Sequence, residues 1–203
     1  MKRFFLTCFL FLFFTPLFSA EVPVRILFLG DSLTAGLGVE PGEAYPSLIQ
    51  NMLEEKQMGH IIVTNGSISG STTASAVSRL KWFLRAKPDI LVLALGANDG
   101  LRGLPLDEMA KNLDNAIVLA KENQIRVILA GMEIPPNYGP EYTKAFREVF
   151  PALARQHQLE FIPFLLENVA GDPSLNQADG IHPNARGHRI IAAHVLPFIL
   201  EKP

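Results

Sequence analysis

Short apolar runs recur along the chain at regular intervals, separated by longer segments of mixed polarity. The runs are nearly continuous rather than alternating, which is typical of parallel strands that helices cover on both faces. Five strands are predicted, over residues 25–29, 61–64, 90–95, 126–130 and 160–163. The predicted core residues in and beside them are Val24, Ile26, Leu27, Val92, Leu93, Val127, Ile128 and Leu129.

The intervening segments carry apolar residues at helical spacing. One example places Met109, Leu113, Ile117 and Val118 toward the core of a helix that Asp107 caps. Strands and helices therefore alternate, and we predict one α/β domain: a three-layer α/β/α doubly wound sandwich around a parallel sheet of about five strands. The predicted helices span residues 44–56, 74–85, 107–122, 141–156 and 185–200.

Residues 1–20 have the layout of a secretory signal peptide. Two basic residues precede an apolar run over 4–14, and small residues follow at Ser19 and Ala20. A membrane anchor is the alternative, but this run is shorter than the roughly 20 apolar residues that span a bilayer. We therefore expect cleavage after Ser19 or Ala20, no stable membrane insertion, and an exported, periplasmic or secreted domain over 21–203.

Charge and cysteine content exclude several classes of partner. The chain has 18 basic and 20 acidic residues, and loss of Lys2 and Arg3 leaves 18 − 2 = 16 against 20, a net charge of −4 with histidines neutral. Nucleic acid is then a poor partner, because binding phosphates requires clustered Lys and Arg. The only cysteine, Cys8, lies in the signal segment. We expect no disulfide, metal or cofactor, and a monomer.

A serine directly follows the first predicted strand, in the segment GDSLT over 30–34. Open parallel sheets collect their functional residues beyond the carboxyl ends of the strands, so Ser32 is a candidate nucleophile. The segment does not match the G-x-S-x-G elbow, because Thr34 occupies the last glycine position. The alternative is that Asp31 and Ser32 only cap a helix.

A histidine and an acid lie close together near the end of the chain, in the segment DGIHP over 179–183. A serine hydroxyl needs a base to take its proton and a third group to orient that base. His182 and Asp179 can supply both groups, while Gly180 permits a turn and Pro183 favours an extended backbone at the histidine. The alternative is a capping acid beside a surface histidine.

Two further loops carry candidate hydrogen-bond donors. The segment LGANDG over 95–100 follows the most apolar strand, and the side-chain amide of Asn98 can donate to a developing oxyanion. The segment NGSISG over 65–70 offers the backbone N–H of Gly70 to the same point. Ordinary turns are the alternative for both loops.

These four segments, in this order, resemble the four blocks of the SGNH, or GDSL-type, hydrolase family. The segments GANDGLRG, PPNYG and DGIHPN are most similar to its small exported TesA-type acyl-CoA thioesterase I, lysophospholipase and arylesterase subgroup. The resemblance implies a nucleophile at Ser32, a triad completed by Asp179 and His182, and oxyanion donors at Ser32, Gly70 and Asn98. It also implies a mobile loop around residues 100–103.

The loops of the predicted crevice carry apolar side chains, which favours an acyl chain over a sugar as the bound group. We therefore predict a serine hydrolase of small acyl esters and thioesters. Two alternatives remain open: a carbohydrate O-deacetylase of the same family, and a non-catalytic lipid or glycan binder. The candidate substrate-binding residues are Leu101, Leu104, Ile134, Pro135 and Ile181.

Overall fold

Five parallel strands form the central sheet, in the order β2-β1-β3-β4-β5. The computed structural model describes residues 22–201, so the predicted signal segment lies outside the described residues. Every neighbouring pair of strands is parallel, as the near-continuous apolar runs predict. The strands are β1 (Val24–Gly30), β2 (Ile61–Asn65), β3 (Ile90–Ala94), β4 (Arg126–Ala130) and β5 (Glu160–Ile162).

Helices cover both faces of the sheet. On one face α2 packs against α7 and β2, and on the other α5 packs against both α3 and α6. This arrangement confirms the predicted three-layer α/β/α sandwich. The helices are α1 (Ser32–Ala35), α2 (Tyr45–Glu55), α3 (Ala76–Phe83), α4 (Ala97–Leu101), α5 (Leu106–Glu122), α6 (Pro140–His157) and α7 (Ala185–Leu200).

The core lies between the sheet and its two helical layers. All five residues of β3 are buried, because β3 has a strand on each side and a helical layer on each face. Seven of the eight predicted core residues are buried. The exception is Val24, which lies at the exposed amino end of β1 and is only half-buried.

Two predictions about α5 are wrong. Its N-cap is Pro105, whose carbonyl accepts the Met109 N–H at 3.1 Å, so Asp107 lies in the first turn instead of capping the helix. Val118 is 38% exposed. It follows the buried Ile117 by one residue, and that step rotates a side chain about 100° around a helix and off the buried stripe.

The strand order positions the crevice. The chain leaves β1 for β2 on one side and later returns to place β3 on the other side of β1. Loops leaving β1 and β3 therefore diverge to opposite faces and leave a cleft at their carboxyl ends, where ligands of such sheets bind. Within residues 22–201, none of the helices has the length and apolarity to cross a membrane.

Candidate active site

Ser32 is the first residue of α1, directly after the end of β1. The preceding residue caps the helix: Asp31 accepts the Leu33 N–H through Oδ1 at 3.1 Å. Asp31 therefore caps the helix, as the alternative interpretation of this segment proposed. The hydroxyl of Ser32 is not used in the cap and can contact another side chain. Ser32 is itself buried, at the base of the cleft.

His182 lies in a tight loop that leads into α7. The loop folds back on itself, since the Gln177 N–H donates to the His182 carbonyl at 2.8 Å and the Gly180 N–H donates to the Gln177 carbonyl at 2.9 Å. Gly180 has a φ of +71°, a conformation that glycine adopts without strain. A β-bridge between Asn176 and Pro183 closes the loop.

Residues 32, 179 and 182 form one hydrogen-bonded chain. His182 Nε2 lies 2.9 Å from Ser32 Oγ, and His182 Nδ1 lies 2.7 Å from Asp179 Oδ2. Ionised Asp179 can only accept hydrogen bonds, so Nδ1 carries a proton and Nε2 presents its lone pair to the serine hydroxyl. This is the geometry that general-base activation of a serine requires.

Asp179 is held ionised although its side chain is 47% exposed. Its Oδ1 accepts the backbone N–H of His182 at 3.0 Å and that of Ile181 at 2.9 Å. Hydrogen bonds from the His182 backbone and ring, followed by that from Ile181, lower the pKa of Asp179 to about 2. The same backbone groups therefore fix both the charge and the orientation of the carboxylate.

Three N–H groups are available for an oxyanion. The backbone N–H groups of Ser32 and Gly70 donate to no acceptor within residues 22–201. Asn98, in a segment predicted to be a loop, lies on α4, and its Nδ2 donates one hydrogen to the Ser71 carbonyl at 3.1 Å. A side-chain amide has two N–H hydrogens, and a hydrogen bond from Asn98 also acts to lower the pKa of Asp31.

An apolar cavity of about 510 Å³ adjoins these groups. Four of the predicted substrate-binding residues line it: Leu101, Ile134, Pro135 and Ile181. Leu104 does not, because its side chain points outward and is exposed. Further lining residues, which sequence reasoning did not single out, include Leu33, Ala97, Met132, Phe164, Leu166 and Gly180.

Comparison with known proteins identifies the family. Residues 28–190 match the model of the GDSL-like lipase/acylhydrolase family. The chain belongs to this family. An arylesterase of Vibrio mimicus is 38% identical over 191 residues, which cover 94% of this chain and 95% of the relative.

Other members of the family support the same assignment. The thioesterase 1/protease 1/lysophospholipase L1 of Escherichia coli is 35% identical over 176 residues, covering 86% of this chain and 83% of its own. The crystal structure of TesA matches with a TM-score of 0.83 at 37% identity, covering 87% of this chain and 98% of TesA. The predicted family and the predicted class, a hydrolase of ester and thioester bonds, are confirmed.

Asp31 places a buried carboxylate beside Ser32, and its burial was not predicted from the sequence. The side chain is 1% exposed, and its Oδ2 has no hydrogen-bond partner within residues 22–201. Burial raises the pKa of Asp31 to about 6, against the opposing effects of the Leu33 N–H and the charge of His182. A carboxylate next to Ser32 is thus kept in an unfavourable environment.

Residues of α4 hold the loop that contains Gly70. Buried Asp99 accepts the Thr73 backbone N–H at 2.9 Å and the Thr73 hydroxyl at 2.6 Å. Arg102, at the end of α4, donates to the Gly70 carbonyl at 2.9 Å. Residues 99 and 102 lie within the segment GANDGLRG, but the sequence does not indicate that their partners are Thr73 and Gly70.

No cation site accompanies this arrangement in the described part of the chain, since no three His, Cys, Asp or Glu side chains are grouped to bind a metal ion. His188 is buried and separate from the triad. Its Nδ1 accepts the Tyr45 N–H at 3.3 Å, and burial lowers its pKa to about 4. It therefore links α7 to α2 as a neutral ring.

Proposed function

We propose that this chain hydrolyses acyl esters and thioesters through an acyl-enzyme formed on Ser32. The observation that carries the proposal is the hydrogen-bonded chain from Ser32 through His182 to Asp179, at the mouth of an apolar cavity. The esterases and thioesterase among the relatives support the same reaction.

In the proposed mechanism, His182 Nε2 takes the proton of the Ser32 hydroxyl as its oxygen attacks the acyl carbon. The carbonyl oxygen becomes negatively charged and accepts hydrogen bonds from the N–H groups of Ser32, Gly70 and Asn98. His182 then returns the proton to the departing alcohol or thiol. Water, deprotonated by the same ring, attacks the acyl-enzyme and releases the carboxylic acid.

The cavity supports an acyl chain as the group that enters the site. Leu101, Ile134 and Ile181 line it, and burying a hydrocarbon chain against such residues contributes about 0.8 kcal/mol per methylene. A sugar would leave its hydroxyl groups facing apolar carbon. We therefore propose lipid or aryl acyl groups as substrates.

A fluorophosphonate probe tests the nucleophile. Wild type should be labelled and Ser32→Ala should be neither labelled nor active, because the probe phosphonylates an activated serine. The control is Ser78→Ala, since Ser78 is exposed and its hydroxyl only donates to the Ser75 carbonyl. Labelling that persists in Ser32→Ala would contradict the proposal.

A series of nitrophenyl esters tests the acyl group. Activity should rise from acetate to medium-chain esters and should drop for the longer members when Ile134→Trp fills the cavity. A preference for acetate that Ile134→Trp leaves unchanged would favour the carbohydrate deacetylase instead.

We further propose that the chain is exported after cleavage within residues 19–21 and acts as a monomer. The charge pattern and apolar run of residues 1–20 support export. Mass spectrometry of the protein recovered from outside the cytoplasm should give a chain that begins at residue 20 or 21. Recovery of the intact chain would contradict cleavage.

A further inference from the structure

We propose that Arg102 is a positioning residue that holds Gly70 with its N–H directed at the oxyanion. This inference rests on the proposed function, because it concerns the same acyl transfer. Its physical basis is a single tether: the Arg102 guanidinium crosses from the end of α4 and donates to the carbonyl of Gly70 at 2.9 Å.

The bond from Arg102 reinforces a turn around Gly70, in which the Ser71 N–H, in the same peptide group as the Gly70 carbonyl, donates to the Ile68 carbonyl at 3.2 Å. The φ of Gly70 is +77°, and glycine populates both signs of φ with little difference in energy. The N–H and the carbonyl of Gly70 belong to adjacent peptide planes, which rotate relative to each other about the φ and ψ bonds of this residue. A donor bound to the carbonyl holds one of these planes and so limits the directions in which the N–H can point.

The remainder of the loop is already held by neighbouring residues of α4. Asn98 donates to the Ser71 carbonyl, and buried Asp99 accepts both donors of Thr73. Neither bond reaches residue 70 itself. Arg102 supplies the side-chain contact to residue 70, so residues 70 to 73 are held at successive points by one short helix and the residue that follows it.

The Arg102 guanidinium binds the Gly70 carbonyl without a competing carboxylate partner. In the described range 22–201, Arg102 forms no ion pair with a carboxylate. An arginine remains charged at all working pH values and its planar donors bind in a fixed geometry, which suits it to hold a backbone oxygen. Its side chain is exposed, so replacing it disturbs no core packing.

A matched control exists on the other side of the same segment. The hydroxyl of Tyr138 donates to the Leu101 carbonyl at 2.8 Å, one residue before Arg102. This is also an exposed side chain bound to a backbone carbonyl, but it does not contact Gly70. Tyr138→Phe therefore measures the effect of loosening the segment without releasing the glycine.

The experiment compares kcat and KM of wild type, Arg102→Met, Arg102→Lys and Tyr138→Phe on nitrophenyl acetate and on a medium-chain ester. Arg102→Met should lower kcat by about 10- to 100-fold, less than the full loss of an oxyanion donor, with KM unchanged. The loss should be equal for both esters. Arg102→Lys should recover part of it, and Tyr138→Phe should match wild type.

Three results would overturn the inference: a normal kcat for Arg102→Met, an equal loss in Tyr138→Phe, or a loss that grows with acyl length, which would indicate contact with the acyl chain. Salt separates positioning from direct charge stabilisation. In roughly 1 M salt, charges are screened within about 3 Å. If the difference in kcat between wild type and Arg102→Met disappears there, Arg102 acts through its charge, and the inference is also overturned. An inactive wild type or an active Ser32→Ala would instead refute the proposed function.

Discussion

The buried carboxylate beside the nucleophile gives the most quantitative prediction, which concerns Asp31→Asn. Burial raises the pKa of Asp31 from 3.8 to about 6 in the folded protein. At 1.36 kcal/mol per pKa unit, that difference corresponds to about 3 kcal/mol. Above pH 6, where Asp31 is ionised, the free energy of unfolding is therefore lower by about this amount than it would be with a neutral group.

The direction of the pH dependence follows from proton uptake. Between about pH 4 and pH 6 the folded protein binds a proton at Asp31 that the unfolded chain has released. The contribution of Asp31 to stability is therefore present in acid and is lost as pH rises through about 6. A depressed pKa, such as that of Asp179, gives the opposite direction.

Asp31→Asn removes this titration with little change in shape. The amide oxygen can still accept the Leu33 N–H, and the amide nitrogen replaces the unpartnered Oδ2. Relative to wild type, we expect the variant to gain about 3 kcal/mol more stability at pH 8 than at pH 4. For a domain of this size, the Tm difference between variant and wild type should then be more favourable to the variant at pH 8 than at pH 4 by roughly 6 to 12 °C.

Urea unfolding at both pH values measures the effect, and the difference between variant and wild type cancels the titration of groups that both share. Asp172→Asn is the control. Hydrogen bonds from Ser174 lower the pKa of Asp172, so its removal should act in the opposite direction. A stability difference for Asp31→Asn that is independent of pH would refute the reasoning.

The same substitution should reduce turnover. The negative charge of Asp31 interacts favourably with a protonated His182, the form that arises when Ser32 gives up its proton. Stability and catalysis therefore respond to Asp31→Asn with opposite signs, a trade-off expected where a site retains an unfavourable charge. A variant that is more stable at pH 8 and fully active would contradict this role.

Three further substitutions test the site. Asp179→Asn should lower kcat by about 10³- to 10⁴-fold while the protein stays folded, because the ring loses its orienting acceptor, and near-normal kinetics would exclude a triad. Asn98→Ala should lower kcat by about 10²- to 10³-fold, and unchanged turnover would remove it from the oxyanion hole. Thr73→Val should lower the free energy of unfolding by about 1 to 3 kcal/mol, because buried Asp99 loses a donor. Equal stability in a urea titration would show that Asp99 finds another partner.

The strands, and the meeting of the loops that carry Ser32 and His182, could be predicted from sequence. Buried parallel strands are marked by continuous apolar runs, and the residues at their carboxyl ends must meet at one edge of the sheet. Ser32 follows β1 closely, whereas His182 lies 150 positions later in the loop before α7, well beyond the end of β5, and their side chains lie 2.9 Å apart. For Gly70 and Asn98 the residues alone left both an oxyanion donor and an ordinary turn open, and the family resemblance favours the donor, which stays a prediction.

Contacts between loops could not be predicted. Arg102 reaches Gly70 and Tyr138 reaches Leu101 through long side chains, whose direction no periodicity specifies. Leu104 was predicted to bind substrate because it is apolar and lies in a loop near the cavity, but its side chain faces outward. The environment of Asp31 depends on what surrounds it, so its raised pKa required coordinates.

His182 and Asp179 belong to one hydrogen-bonded loop, so their alignment with Ser32 depends on where that loop lies. Asp179 is oriented by backbone groups two and three residues away, so it needs no burial to stay in place. Only the position of this loop relative to α1 remains to be fixed. Gln177 fixes it, because its Nε2 donates to the Leu37 carbonyl at 2.6 Å, just beyond α1, and to the Pro183 carbonyl at 3.0 Å. The amide thus connects the chain just after α1 to the loop of His182, so hydrogen bonds between loops contribute to the alignment of Ser32 with His182 and Asp179.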